Sequence, residues 1–236
     1  MEDGAIAAEG PHLLAEALAS AWNVEQIFCS ANGLERHQAL LSQAAQRKIE
    51  VTDVSDRAFK AICDTEHNQG VLMLLRPRKY TWADVTANAG PIVVLDAIQD
   101  PGNAGSILRS TEAFGGAGVV FTEGCVRISN GKLLRAAAGS LFRLPVLENC
   151  PGSEVIPKLI QLRRTMFALA ANGRTSLTSA SLKSPFALVV GSEGQGVSTL
   201  FLNSSETLSI PTQGVESLNA SIACAIVLFE AKRQSQ

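Results

Sequence analysis

Three polar, glycine-bearing segments in the second half of the chain hold the residue types that can do chemistry. The first, Asp96–Arg109, reads Asp-Ala-Ile-Gln-Asp-Pro-Gly-Asn-Ala-Gly-Ser-Ile-Leu-Arg. Asn103 suits a helix N-cap, because its side-chain oxygen can accept a free backbone N–H. Arg109 follows nearly two turns later, so it projects from the same general side; a capped helix with a solvent-facing arginine has the same pattern. The second segment, Val190–Val197, carries Gly191, Ser192, Glu193, Gly194 and Gly196. Glycines there free the backbone to approach a ligand closely. It is not a P-loop, lacking the Gly-Lys-Ser/Thr ending, nor a dinucleotide fingerprint, since Glu193 falls where glycine is required. In the third, Leu208–Ser221, a strand stops at Pro211, a loop follows through Gly214, and Ser217 or Asn219 opens the last helix. Each segment alone reads equally well as a tight turn or a cap.

Other chemistries find no support. No His, Cys, Asp and Glu residues cluster at metal-ligand spacing, and His12, His37 and His67 all precede these segments, so neither a metal nor a histidine base is expected. The five cysteines are scattered with no C-x-x-C pair, which disfavours a disulfide scaffold or zinc ribbon and points to a reducing cytoplasm. No apolar run reaches the ~20 residues of a membrane span. The longest, Ala220–Phe229, is interrupted by Ser221, and the acidic start Met1–Gly10 does not read as a secretory signal.

The elements around the three segments alternate. From Pro91 onward, strands are expected at Ile92–Leu95, Ala117–Phe121, Leu144–Leu147, Met166–Ala170, Phe186–Val190 and Thr207–Ile210. Helices are expected at Ala104–Phe114, Leu133–Ser140, Val155–Leu162 and Ser217–Arg233. Strands this apolar, separated by helices, predict a mostly parallel sheet covered on both faces, with ligands at the carboxyl ends of its strands. The last helix is apolar almost all round, so it is expected in the core or in a subunit interface.

Residues 1–75 read as a small α/β/α domain. A helix starts at Pro11 with Leu13, Leu14, Ala17 and Leu18 on one face. Strands follow at Val24–Cys29, Ile49–Val51 and Val71–Leu75, with helices over Arg36–Gln46 and after Ser55, the last turning Phe59, Ile62 and Cys63 inward. Residues 76–90, basic and aromatic and broken by Pro77, read as a linker, and residues 91–236 as the second domain. The net charge of −2 conceals an asymmetry: residues 1–75 carry 5 basic and 11 acidic side chains, the remainder 15 and 11. Nucleic-acid binding by bulk charge is thereby disfavoured.

In this order and spacing the three segments resemble the motifs of the SpoU family of RNA ribose 2′-O-methyltransferases, in the SPOUT class. Asn103, Gly105 and Arg109 match N-x-G-x-x-x-R, and Gly191, Glu193 and Gly196 match G-x-E-x-x-G. Ile210, Pro211, Gly214, Ser217, Leu218, Asn219 and Ser221 match the third motif, with Thr212 where methionine is usual and Ala220 where valine is usual. Glu9-Gly10-Pro11 with the following helix, and His67–Val71, resemble the family's N-terminal substrate-binding domain, whose fold is like that of ribosomal proteins that bind kinked RNA.

The resemblance implies S-adenosylmethionine as donor, no metal, a C-terminal domain closed by a deep trefoil knot, a homodimer joined through that domain, and RNA as substrate, rRNA in preference to tRNA. It places Arg109 at the acceptor, with Asn103, Glu193, Ser217 and Asn219 around it. Glu193 is expected to shape its loop through backbone hydrogen bonds, the others to orient Arg109 and the ribose. Ala170, Ala171, Asn172, Gly191, Ser192, Glu193, Gly196, Ile210, Leu218 and Asn219 are expected around the donor, where small side chains and backbone amides suit adenine and ribose. A non-catalytic SpoU-like RNA-binding protein is the alternative; a nicotinamide-dependent oxidoreductase lacks its glycine fingerprint.

Overall fold

The computed structural model describes residues 4–65, 68–183 and 185–236; His67 lies outside them. The chain divides into two units, one of residues 1–79 with 129–143 and one of residues 80–128 with 144–236.

The first unit is built on β1 (Ile6–Glu9), α1 (Pro11–Ala19), β2 (Asn23–Cys29), α2 (Ala31–Arg36), α3 (Gln38–Gln46), β3 (Glu50–Asp53), α4 (Asp56–Ile62) and β4 (Val71–Arg76). Its sheet has the order β1-β4-β2-β3, with only β2 and β3 parallel. Pro11 begins α1 and its Leu13, Leu14, Ala17 and Leu18 are buried, as the periodicity predicts. Two expectations are revised. The helix expected over 36–46 is α3, starting at Gln38, but an unexpected helix precedes it: Ser30 Oγ caps α2 by accepting from Gly33 N at 3.2 Å, and α2 stops before His37. Ile62 faces outward at 48% exposure, while Phe59 alone of the α4 apolar residues is buried.

The second unit starts with the short α5 (Trp82–Val85), whose Thr81 and Asp84 form a reciprocal capping box. Val85 is fully buried and Tyr80 and Trp82 pack partly buried against the core. Next come β5 (Ile92–Asp96), α6 (Pro101–Ala113) and β6 (Gly118–Thr122). The chain then lends α7 (Gly131–Ala137) and a 3-10 turn, Ser140–Phe142, to the first unit. Phe142 meets Trp22 edge-on there, with centroids 4.9 Å apart, and Arg143 pairs with Glu16.

The second unit resumes with β7 (Val146–Cys150), α8 (Gly152–Gln161), β8 (Thr165–Leu169), β9 (Thr175–Ser176), β10 (Phe186–Gly191), α9 (Thr199–Leu202), β11 (Glu206–Ser209) and α10 (Ala220–Gln234). These strands form one seven-stranded sheet, order β7-β6-β5-β10-β8-β11-β9, parallel throughout. β5, β6 and β10 are buried along their whole length, which is what continuous apolar strands require when helices cover both faces. The parallel α/β fold expected of the second half is the one observed.

Candidate active site

The cleft of the second unit lies beyond the carboxyl ends of β8, β10 and β11, where an open parallel sheet collects its ligands. It has a volume of about 450 Å³, within the range of small-molecule sites. Three chain segments wall it. Ala170, Ala171 and Asn172 follow β8; Gly191, Ser192, Glu193, Gln195, Gly196 and Val197 follow β10; Ile210, Thr212, Glu216, Ser217 and Leu218 follow β11. The strand ends Leu169, Val190 and Leu208 supply an apolar floor.

Backbone approach makes the middle wall possible. A Cβ on Gly191 would lie 2.1 Å from the carbonyl carbon and oxygen of Gly196 and 2.2 Å from Val197 N. Only glycine fits there. The loop then closes on itself, with Gly196 N donating to Ser192 O at 2.8 Å.

One residue from each of the three polar segments meets at a single point. Asn103 Nδ2 donates to Glu193 Oε1 at 2.9 Å, Asn219 Nδ2 donates to Asn103 Oδ1 at 2.9 Å, and Asn219 Nδ2 also donates to Glu193 Oε1. The opposite side of Asn219 caps α10: its Oδ1 accepts from Ser221 N at 3.0 Å, Ile222 N at 3.3 Å and Ser221 Oγ at 2.7 Å. Asn219 is therefore both a cap and a junction, and it settles which of Ser217 and Asn219 opens the last helix.

Two local expectations are corrected by these contacts. Asn103 is not the N-cap of α6. Asp100 is, its Oδ1 accepting from Asn103 N at 2.7 Å, because Pro101 suits the first helical position and moves the start of the helix upstream. This leaves the buried Asn103 amide free to join Glu193 and Asn219. Glu193, in turn, accepts from side-chain amides across the segments rather than shaping its own loop through backbone bonds.

Arg109 lies on the exposed face of α6, six residues beyond Asn103, hence about 9 Å along the helix axis. Among the described residues its guanidinium has no hydrogen-bonding or ion-pair partner, so neither Asn103 nor Asn219 orients it directly. Asn103, Arg109 and Asn219 are not cleft walls, although Leu218 and Ala220 beside Asn219 are. Ser217 faces the cleft and is exposed.

The electrostatics discriminate between ligands. Among the described residues the cleft walls carry two carboxylates, Glu193 and Glu216, and no lysine or arginine. A pyrophosphate would meet like charge there, whereas a ligand with an excess of positive charge is favoured. Cysteine chemistry is not available either. Burial pushes the thiols of Cys29 and Cys63 up to about 11, with Asp53 and Glu9 respectively adding to the shift, and raises Cys125, Cys150 and Cys224 as well. None is poised as a thiolate nucleophile near neutral pH. Among the described residues no group of three His, Cys, Asp or Glu side chains is arranged to hold a metal.

A family profile described as the SpoU rRNA Methylase family matches residues 90–229, the range that contains the cleft and all three polar segments. The chain belongs to the SpoU family of RNA methyltransferases. A second profile, RNA 2′-O ribose methyltransferase substrate binding, matches residues 7–81 of this SpoU protein. The chain is 31% identical over 227 residues to the 23S rRNA (guanosine(2553)-2′-O)-methyltransferase RlmP of Bacillus subtilis, covering 95% of this chain and 87% of that one. Among solved structures it is similar to the SpoU methyltransferase AviRb of Streptomyces viridochromogenes bound to AdoMet, with TM-score 0.88 and 22% identity over 98% of this chain and 90% of that one. It also resembles a TrmH-family RNA methyltransferase of Porphyromonas gingivalis, with TM-score 0.81 and 28% identity over 99% and 91% of the two chains.

The cleft fits S-adenosylmethionine, the cofactor bound in the AviRb structure. Its sulfonium and ammonium outnumber its one carboxylate, which matches walls holding Glu193 and Glu216 without a cation. The apolar strand ends suit a flat adenine, and the small residues Ala170, Ala171 and Ser192 leave room for it.

Sequence reasoning missed Asp96, Asp100, Gln195 and Glu216. Asp96 was the findable one, because a carboxylate ending a buried parallel strand sits where such sheets place their function. Gln195 and Glu216 lie within loops, and no spacing rule selects them.

Proposed function

We propose that this SpoU protein methylates a ribose 2′-hydroxyl in structured RNA, with rRNA as the substrate class. The observation that carries the reading is the pairing of an acidic donor cleft with an exposed Arg109 on a helix tied to that cleft through Asn103 and Glu193. The donor supplies a methyl group on an electrophilic sulfonium. Ala170, Ala171, Asn172, Gly191, Ser192, Gly196, Ile210 and Leu218 hold it, with Glu193 and Asn219 fixing the loops that carry them. Arg109 then binds the phosphate flanking the acceptor ribose and stabilises the oxyanion developing at the 2′ oxygen. A guanidinium keeps its proton far above physiological pH, so Arg109 is a clamp rather than a base, and the hydroxyl proton passes to the flanking phosphate or to water. Ser217, exposed on the cleft wall two residues before the α10 cap, orients the ribose.

The rest of the reading concerns the whole protein. The family resemblance supports a C-terminal segment threaded through a loop in a trefoil knot. Ile222 and Phe229 on α10 are 52% and 56% exposed, with Ile226 half-buried between them. An apolar stripe at this spacing supports a homodimer joined through the second unit. Five free cysteines support a reducing, cytoplasmic setting; no helix among the described residues is long and apolar enough to cross a membrane. Incubating the protein with labelled S-adenosylmethionine and rRNA or tRNA from a strain lacking its gene, then mapping 2′-O-methyl sites, tests the assignment. Label in a single rRNA ribose is expected. Label in tRNA alone would overturn the rRNA assignment, and label on a base would overturn the mechanism.

A further inference from the structure

Asp96 is one of the few buried ionisable residues of the second unit, at 8% exposure, and the chemistry described above does not use it. It ends β5 in parallel register with Gly191, the residue at which the donor loop leaves β10. Its carboxylate Oδ2 accepts from Ser198 N, where the same loop ends, at 2.6 Å. The 192–197 loop therefore leaves and returns beside one side chain 102 positions from Ser198 in sequence. The turn after Asp96 is itself held under constraint. Ala97 adopts a left-handed φ of 53°, a conformation costly for a residue with a Cβ, and its N–H is held by Thr122 Oγ1 at 3.1 Å.

We propose that Asp96 is a positioning residue for methyl transfer. Its carboxylate closes the donor loop and thereby sets Glu193 where the side-chain amides of Asn103 and Asn219 can reach it. A bond from a backbone N–H to a carboxylate is of the stronger, charge-assisted kind, and its acceptor is buried at the carboxyl end of β5. The loop's internal bonds, Gly196 N to Ser192 O and Gln195 N to Ser192 Oγ, only shape it; Glu193 ties its middle to Asn103 and Asn219, and the Asp96 bond holds its backbone at the far end, beside the buried Val197. Without the Asp96 anchor the loop is still a tight turn, but its far end loses its backbone bond and is held only by the packing of Val197. Glu193 would then leave Asn103, whose buried amide has no further acceptor among the described residues. This inference rests on the S-adenosylmethionine reading of the cleft only for the ligand used in the test.

The test compares the full chain with Asp96→Ala and Asp96→Asn, the second keeping an acceptor oxygen at nearly the same reach. Ile92→Ala, a core variant at the opposite end of β5, serves as a control for general loss of stability. Calorimetric titration with S-adenosylhomocysteine is expected to show at least about tenfold weaker binding for Asp96→Ala, the loss of one charge-assisted bond. Asp96→Asn should recover most of it, and Ile92→Ala should bind as the unaltered chain does. Amide exchange over 192–198 in the free protein should accelerate in Asp96→Ala and not in the control. The proposal is overturned if Asp96→Ala leaves exchange over 192–198 unchanged, or if the control loses affinity equally at the same melting temperature. If the unaltered chain does not bind S-adenosylhomocysteine, the donor reading fails, and the exchange measurement still decides the role of Asp96.

Discussion

At the scale of single residues, the proposed mechanism separates acceptor from donor. Arg109 has no partner among the described side chains and does not wall the cleft, so removing it leaves the donor site intact. Arg109→Ala should lower kcat by about 10²- to 10³-fold, the usual cost of deleting one electrostatic stabiliser of a developing charge. Binding of S-adenosylhomocysteine should stay near that of the unaltered chain, and unchanged turnover would remove Arg109 from the mechanism. Asn219 behaves differently because it joins two functions. Asn219→Ala deletes the α10 cap, worth about 1 kcal/mol, and also the bonds that Asn219 makes to Asn103 and Glu193. Urea unfolding should show that loss, while both kcat and donor affinity fall; a variant that lost stability alone would reduce Asn219 to a cap.

At the scale of elements, the donor loop depends on backbone contact that side chains would block. Gly191→Ala places a methyl group 2.1 Å from backbone atoms of Gly196, and backbone cannot rotate away as a side-chain tip can. Overpacking of this kind costs about 1–3 kcal/mol. The loop is the softest part able to yield, so the larger effect should be on S-adenosylhomocysteine affinity, read by calorimetry. Retention of full affinity would show that the loop tolerates a wider ring than its closed form suggests. The helix α6 illustrates how one residue type redirects an element. Pro101 takes the first helical position, Asp100 becomes the cap, and Asn103 is released to reach a partner 90 positions away.

At the scale of the whole molecule, the division of the chain in space differs from its division in sequence. Residues 129–143 belong to the first unit, where Trp22 and Glu16 meet Phe142 and Arg143. The charge asymmetry seen along the sequence disappears with this regrouping. Arg76, Arg78 and Lys79, with Lys132, Arg135 and Arg143, raise the basic residues of the first unit from 5 to 11, equal to its 11 acidic ones. A chain cut to begin at residue 90 would keep α7 yet lose β1, Trp22 and Glu16, which pack on that segment. It should melt at a lower temperature than the full chain and expose apolar surface to a dye such as ANS. An unchanged melting transition would mean that 129–143 can be covered without the first unit's sheet. Association belongs to this scale as well. Ile222→Glu puts a charge in the exposed stripe of α10; on the proposed homodimer, light scattering should show the unaltered chain as a dimer and the variant as a monomer, and a dimer that persists in the variant would place the interface elsewhere.

The strands β5, β6, β8 and β10 were legible in the sequence because short apolar runs bounded by turn residues have few alternatives. The three polar segments were legible for a related reason: each follows a strand, and parallel sheets deliver such loops to one edge. What the sequence alone could not decide was which atoms meet there. Asn103, Glu193 and Asn219 are separated by 90 and 26 positions, and their shared hydrogen bonds exist only once β5, β10 and β11 are brought into one sheet. Local rules assigned Asn103 to a cap and Glu193 to its own loop because those rules see only neighbours in the chain. The same limit hid β1, a short strand defined by its pairing with β4 rather than by its own pattern. It hid the transfer of 129–143 to the first unit too, since a helix of seven residues carries its apolar face wherever a complementary surface is found. Local propensity and apolar patterning determined the elements and the candidate residues. Their partners, including the buried carboxylate of Asp96 at the ends of the donor loop, were decided by tertiary packing, because hydrogen bonds across a sheet depend on strand order, and strand order is a property of the folded chain.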